Sequence, residues 1–259
     1  MIRKLAAAVM LGIFGAAASS SMADTYVAAT LTGVSPALST ATLNGSGDYY
    51  AGLLNWNVAA TTNSAVFAVG SDFNTYCVDI SHDIGIGGTY QYDLTTLSHA
   101  AALSGTYNYG TGTVSMVEAI DTLYSEFYGG STTASGPYSA DQEAAAFQGA
   151  VWTILFTPPN TVGLGNTGAT TLENSELTAL DHQLATAGGL DAYNVMALVA
   201  DPGGPLTDYT VQGQDQALVV MPGFGSSPVP LPSTSMGGCV LLGLFGLGAI
   251  SKRRLSLAR

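Results

Sequence analysis

Two residues give this sequence its reactive potential, Cys77 and Gln148, 71 positions apart. A cysteine thiolate attacks a glutamine carboxamide, expels ammonia and leaves a thioester, an acyl donor for an external amine or hydroxyl. That chemistry needs a thiol facing the amide, exclusion of water and an acyl carbon that a partner can reach. Cys77 is the lone cysteine of residues 24–235, because Cys239 lies in an apolar tail, so no disulfide forms within the body. Three readings stay open for such a thiol: an inert core residue, an intermolecular partner or a nucleophile. Gln148 is the second oddity. At about 100° per residue, Ala144, Ala145, Phe147, Val151, Trp152 and Leu155 gather on one helix face with Gln148 at its centre. A primary amide there is costly unless its polar atoms are satisfied, and bonding to backbone is the bland way to satisfy them. Tyr76, Phe147 and Trp152 neighbour one or other group and are the candidates to shield the bond. With no Lys or Arg at hand, backbone N–H groups are the expected support for a thiolate.

Other constellations point less sharply. Asp79, His82 and Asp83 follow Cys77 closely, but their spacing fits no specific metal site, and solvated loop positions are expected. Cys77 with His82, His99 or His182 as base would make a cysteine hydrolase, though no local protease signature accompanies it. Glu118, Asp121 and Glu126 read as a solvated helix face. No cofactor and no metal are expected.

The elements that must bring Cys77 to Gln148 are legible from periodicity. Residues 26–34, 65–69, 75–80 and 89–94 read as strands, the third carrying Cys77. Residues 114–128 and 172–187 have helical spacing, the latter ended by Gly188-Gly189. Residues 139–156 form the helix that carries Gln148. Ser139 and Gln142 make a capping-box pattern, Asp141 and Glu143 suit the helix N-terminus, and Pro158-Pro159 stop it. Residues 193–200 and 217–221 are closing strands, while 104–113 and 161–171 read as surface loops. Strands, then helices, then strands predict an α+β fold: a β-rich sandwich or barrel-like core with an inserted helical portion, in a single exported domain.

The ends and the charge bound the function. Residues 1–23 have a basic start at Arg3 and Lys4, an apolar run and a small-x-small site ending at Ala23: the pattern of a cleaved signal peptide. Residues 24–221 form the body, 222–235 a Pro/Ser-rich linker, and 236–259 an apolar anchor with a basic tail. All six Lys and Arg lie in the terminal segments, whereas all eighteen Asp and Glu lie in residues 24–235. A body of formal charge −18 disfavours nucleic acid and anionic membrane surfaces. It also has no side-chain amine to capture a thioester of its own, which suggests protection from self-crosslinking.

The run Tyr76-Cys77-Val78-Asp79 and the later run Gln148-Gly149-Ala150-Val151-Trp152 resemble the paired motifs of the thioester domains of bacterial surface adhesins. The resemblance spans roughly residues 60–221. It implies a Cys77–Gln148 thioester and covalent attachment, once per molecule, to an amine or hydroxyl on a surface or matrix macromolecule; it does not imply a turnover enzyme. The Thr that often precedes the family's glutamine is replaced by Phe147. The tail, with Val229-Pro230-Leu231-Pro232, an apolar stretch and terminal arginines, resembles a PEP-CTERM sorting signal in which Leu231 replaces Glu. Residues 231–235 also approach the sortase pattern without its Gly. Either implies a membrane-associated sorting protease, transient anchoring, and release to the cell surface or biofilm matrix. The rival reading is a non-reactive structural matrix protein that keeps the same fold.

Overall fold

The first two strands set the frame. Asn44 (φ 53°) and Gly45 (φ 70°) form a two-residue turn with both residues at positive φ, matching the twist of a tight hairpin. The strands it joins, β1 (Thr25–Leu43) and β2 (Ser46–Thr61), pair antiparallel with five register irregularities. Such bulges bend and coil a long hairpin, which lets it wrap around a core. The other strands are β3 (Asp72–Cys77), β4 (Thr89–Thr96), β5 (Thr106–Tyr109), β6 (Gly112–Ser115), β7 (Val162–Gly163), β8 (Val195–Ala200) and β9 (Gln216–Val219). Among the described residues the α-helices are α1 (Met116–Phe127), α2 (Ala140–Leu155) and α3 (Thr167–Thr186), with two short 3-10 turns at 97–99 and 101–103. This computed structural model describes residues 25–79, 82–110, 112–129, 133–134, 136–156, 161–189, 194–201, 204–206 and 213–219. The segments read from the sequence as signal peptide, linker, sorting motif and anchor therefore lie outside the described residues. Among those described, no helix is long and apolar enough to cross a membrane.

Strand order β1-β2-β3-β9-β8-β4, with β4 returning to β1, closes a six-stranded antiparallel barrel. β7 adds to the far end of β1, and β5 and β6 form a separate hairpin. The fold is thus α+β with a β-barrel core and three helices.

Alternation along the strands separates two of the three apolar clusters among the described residues. Val27, Ala29, Leu31, Leu54, Trp56, Val58, Phe73, Tyr90, Tyr92, Leu94, Met196, Leu198 and Cys77 share one cluster. Tyr76, Val195, Ala197 and Ala217 share another with α1, α2 and α3. One polar chain crosses the first core: the Trp56 indole donates to Thr75 Oγ1 (2.8 Å), which donates to Gln216 Oε1 (3.1 Å).

The observed elements correct several sequence expectations. β2 was not predicted. Residues 65–69 form turns rather than a strand; Phe67 is fully buried in the first cluster and supplied the apolar signal. Residues 104–113 include the β5–β6 hairpin rather than being loop throughout, and residues 161–171 contain β7 and the first turn of α3. The capping box of α2 is present as read, with Ser139 accepting from Gln142 N and Gln142 Oε1 accepting from Ser139 N.

Candidate functional site

The site begins at the end of β3. Tyr76 and Cys77 pair with Ala217 and Gln216 of β9, and Val78 N–H donates to Asp215 O on that side. Backbone groups alternate sides along a strand, so Cys77 N–H and C=O point to the opposite edge, towards β2. β2 pairs β3 only through Thr75, leaving that edge open at Cys77. Gln148 fills it. Its Oε1 accepts from Cys77 N–H at 2.9 Å and its Nε2 donates to Cys77 C=O at 2.9 Å. The carboxamide thus acts as a surrogate strand rung, which answers how an amide sits in an apolar helix face. α2 can deliver it because the helix is buried almost all round, from Glu143 to Trp152.

The Cys77 sulfur points elsewhere. Its thiol donates to Asp79 O at 2.9 Å and meets Gln214 Oε1 at 3.3 Å. Burial pushes the thiol up to about 12. The Asp79 backbone pulls it down, the Asp79 carboxylate pushes it up, and the Trp152 indole pulls it down again. Burial likewise raises Asp215, the residue that faces Val78.

Cys77, Gln148, Trp152 and Gln214 open into a cavity of about 370 Å³, walled by Leu31, Val34, Gly52 and Leu54 of the hairpin and by the 83–86 loop. Two large apolar residues on its lining, Tyr50 and Ile86, are exposed, so the cavity communicates with solvent.

The other sequence-predicted residues fall as follows. Trp152 lines the cavity. Tyr76 and Phe147 pack at a tilt (4.6 Å between centroids) beside the stacked Tyr124 and Tyr128, walling the helical side of the pair rather than the cavity. His82 Nδ1 lies 2.7 Å from Asp79 Oδ2, His99 Nδ1 lies 2.9 Å from Thr96 Oγ1, and His182 is exposed on α3. None of the three has a hydrogen bond to Cys77 among those described. Among the described residues no three His, Cys, Asp or Glu side chains are grouped to hold a metal ion. Ala23 and the Val229, Pro230, Leu231 and Pro232 motif lie outside the described residues. Gln214 was missed, because it reaches Cys77 across 137 positions by barrel closure, with only a polar run before a short strand to mark it. Tyr49 and Tyr50 were missed with β2.

No protein-family model and no curated protein matches the chain. Among solved structures it is similar to the N-terminal thioester domain of fibronectin-binding protein SfbI from Streptococcus pyogenes, at 13% identity and a TM-score of 0.40. The match covers 70% of this chain and 93% of that one, a distant structural relation.

Proposed function

We propose that the chain is an exported surface protein in which Cys77 and Gln148 form an internal thioester. This acyl donor attaches the molecule once to an amine or hydroxyl on a surface or matrix partner. The observation that carries the reading is the Gln148 carboxamide, held against Cys77 by two hydrogen bonds at the wall of a solvent-connected cavity. Loss of the thiol proton turns the contact with Asp79 O into a repulsion and frees the sulfur to swing to Gln148 Cδ. The C–N bond then breaks, and nitrogen leaves as ammonia with the thiol proton. The 16-residue helix α2 and strand β3 hold the pair, which keeps the encounter intramolecular. Surface delivery rests on the signal-peptide pattern and the PEP-CTERM-like tail.

Intact mass of the purified chain tests the reading. Wild type is expected to lack one ammonia and to gain methylamine, while Cys77→Ala does neither. A full-mass wild type that ignores methylamine would favour the second reading, a non-reactive structural matrix protein. Two observations support that second reading: both the oxygen and the nitrogen of the Gln148 amide are engaged in holding β3, and burial keeps the resting thiol protonated.

A further inference from the structure

We propose that the Trp152 indole N–H is the hydrogen-bond donor for the Cys77 sulfur, holding its negative charge as it attacks Gln148 and again as it departs during acyl transfer. The inference rests on the thioester reading and assigns the residue that makes the sulfur competent.

Trp152 follows Gln148 by one helical turn, so both side chains leave α2 on the same face. Both line the cavity that Cys77 lines. One rigid helix therefore presents the acyl group and the donor together. The chain has two tryptophans, and both indoles are buried. Trp56 has a hydroxyl acceptor in Thr75. Trp152, only 3% exposed, has no hydrogen-bond partner of full geometry among the described residues. A buried indole N–H ordinarily finds an acceptor. Its electrostatic effect falls on Cys77, where it is the side-chain donor that opposes the upward push of burial. A sulfur anion is larger and a stronger acceptor than a thiol, so the contact tightens as charge develops.

The body offers no Lys or Arg for this task, and the described hydrogen bonds turn His82 to Asp79 and His99 to Thr96 rather than to Cys77. Many active thiols borrow a positive charge; here the side chain that shares the cavity wall with Cys77 and Gln148 is a neutral donor. In the transfer step a partner amine attacks the thioester carbon and the C–S bond breaks. The electron pair stays on sulfur under the indole N–H, and the proton released by the amine returns to sulfur. The products are an amide at Gln148 and the free Cys77 thiol.

Nuclear magnetic resonance of the isotope-labelled full chain tests the contact directly. Trp56, bonded to Thr75, provides an internal reference. Cys77→Ala is expected to move the Trp152 indole N–H signal and leave that of Trp56 in place. Trp152→Phe keeps a ring on the cavity wall but removes the donor. It is expected to slow methylamine opening of the thioester on the order of 10- to 100-fold. A Trp152 signal blind to Cys77→Ala overturns the proposal. So does wild-type opening in a Trp152→Phe chain whose Trp56 signal is unchanged. If Trp152→Phe fails to fold, the Cys77→Ala spectrum decides. A wild type of full mass whose Trp152 signal still responds to Cys77→Ala sinks the thioester reading alone and leaves the donor contact standing.

Discussion

Gln148 grips Cys77 by its backbone, and this makes the two residues unequal partners in the fold. Cys77→Ala leaves both rungs in place, because neither uses the sulfur. Gln148→Ala strips them and leaves a buried N–H and a buried C=O without partners, each costing roughly 1–3 kcal/mol. Thermal unfolding should therefore show Gln148→Ala the less stable of the two by about 2 kcal/mol or more, although either change removes one partner of the proposed thioester. Equal unfolding temperatures would mean that water replaces the amide. At this scale the sequence was informative: an amide centred on an apolar face demanded partners, and the fold provides them. Their identity was hidden, because the open edge at Cys77 exists only once β2 has turned away from β3. Tyr76 and Phe147 were assigned to shielding by proximity in sequence. Strand alternation sends Tyr76 to the opposite side from Cys77, and Phe147 meets it there.

The helix that carries the site could be read almost residue by residue, because capping and termination are local. Ser139→Ala removes the cap from α2 and should cost about 1 kcal/mol, measurable by denaturant unfolding. The hairpin beside it was read only in part. Asn44-Gly45 is a strong local turn signal, and Leu54, Trp56 and Val58 alternate inward, yet Gly- and Asn-rich flanks mask the pattern. Within that hairpin Gly52 lies against the backbone of β1 at Pro36 and Ala37, where any Cβ would overlap main-chain atoms that cannot swing aside. Gly52→Ala should destabilise the protein by about 1–3 kcal/mol. Because Gly52 also walls the cavity, the variant should open to methylamine at a changed rate, whereas Ser139→Ala should not.

Charge acts on the molecule as a whole. Glu143 on α2 and Glu173 and Glu176 on α3 are all buried, in a body with no basic side chain except histidine. Burial first, then the charges of Glu143 and Glu173, push Glu176 up to about 8. An unfolded glutamate releases its proton near its ordinary value of 4.5, so between there and about pH 8 the folded state binds more protons. Stability therefore falls as pH rises through that window, by an amount on the order of 2–4 kcal/mol. Glu176→Gln should flatten the dependence and raise the unfolding temperature most at the alkaline end; a profile with unchanged slope would place the titration elsewhere. The sequence disclosed the missing cations but not the burial of these acids, which depends on α3 packing against α2. The surrogate rung also has a mechanical consequence. Under the proposed attachment, a partner joined at Gln148 would pull beside Cys77, whose strand neighbour is Gln216 at the start of β9, while the chain leaves β9 at its other end, Val219. Tension between partner and tail then runs along β9, which is flanked by β3 and β8. The rungs on both flanks share the load in shear instead of parting one by one, so a tether drawn through this molecule stiffens against the barrel rather than peeling it open.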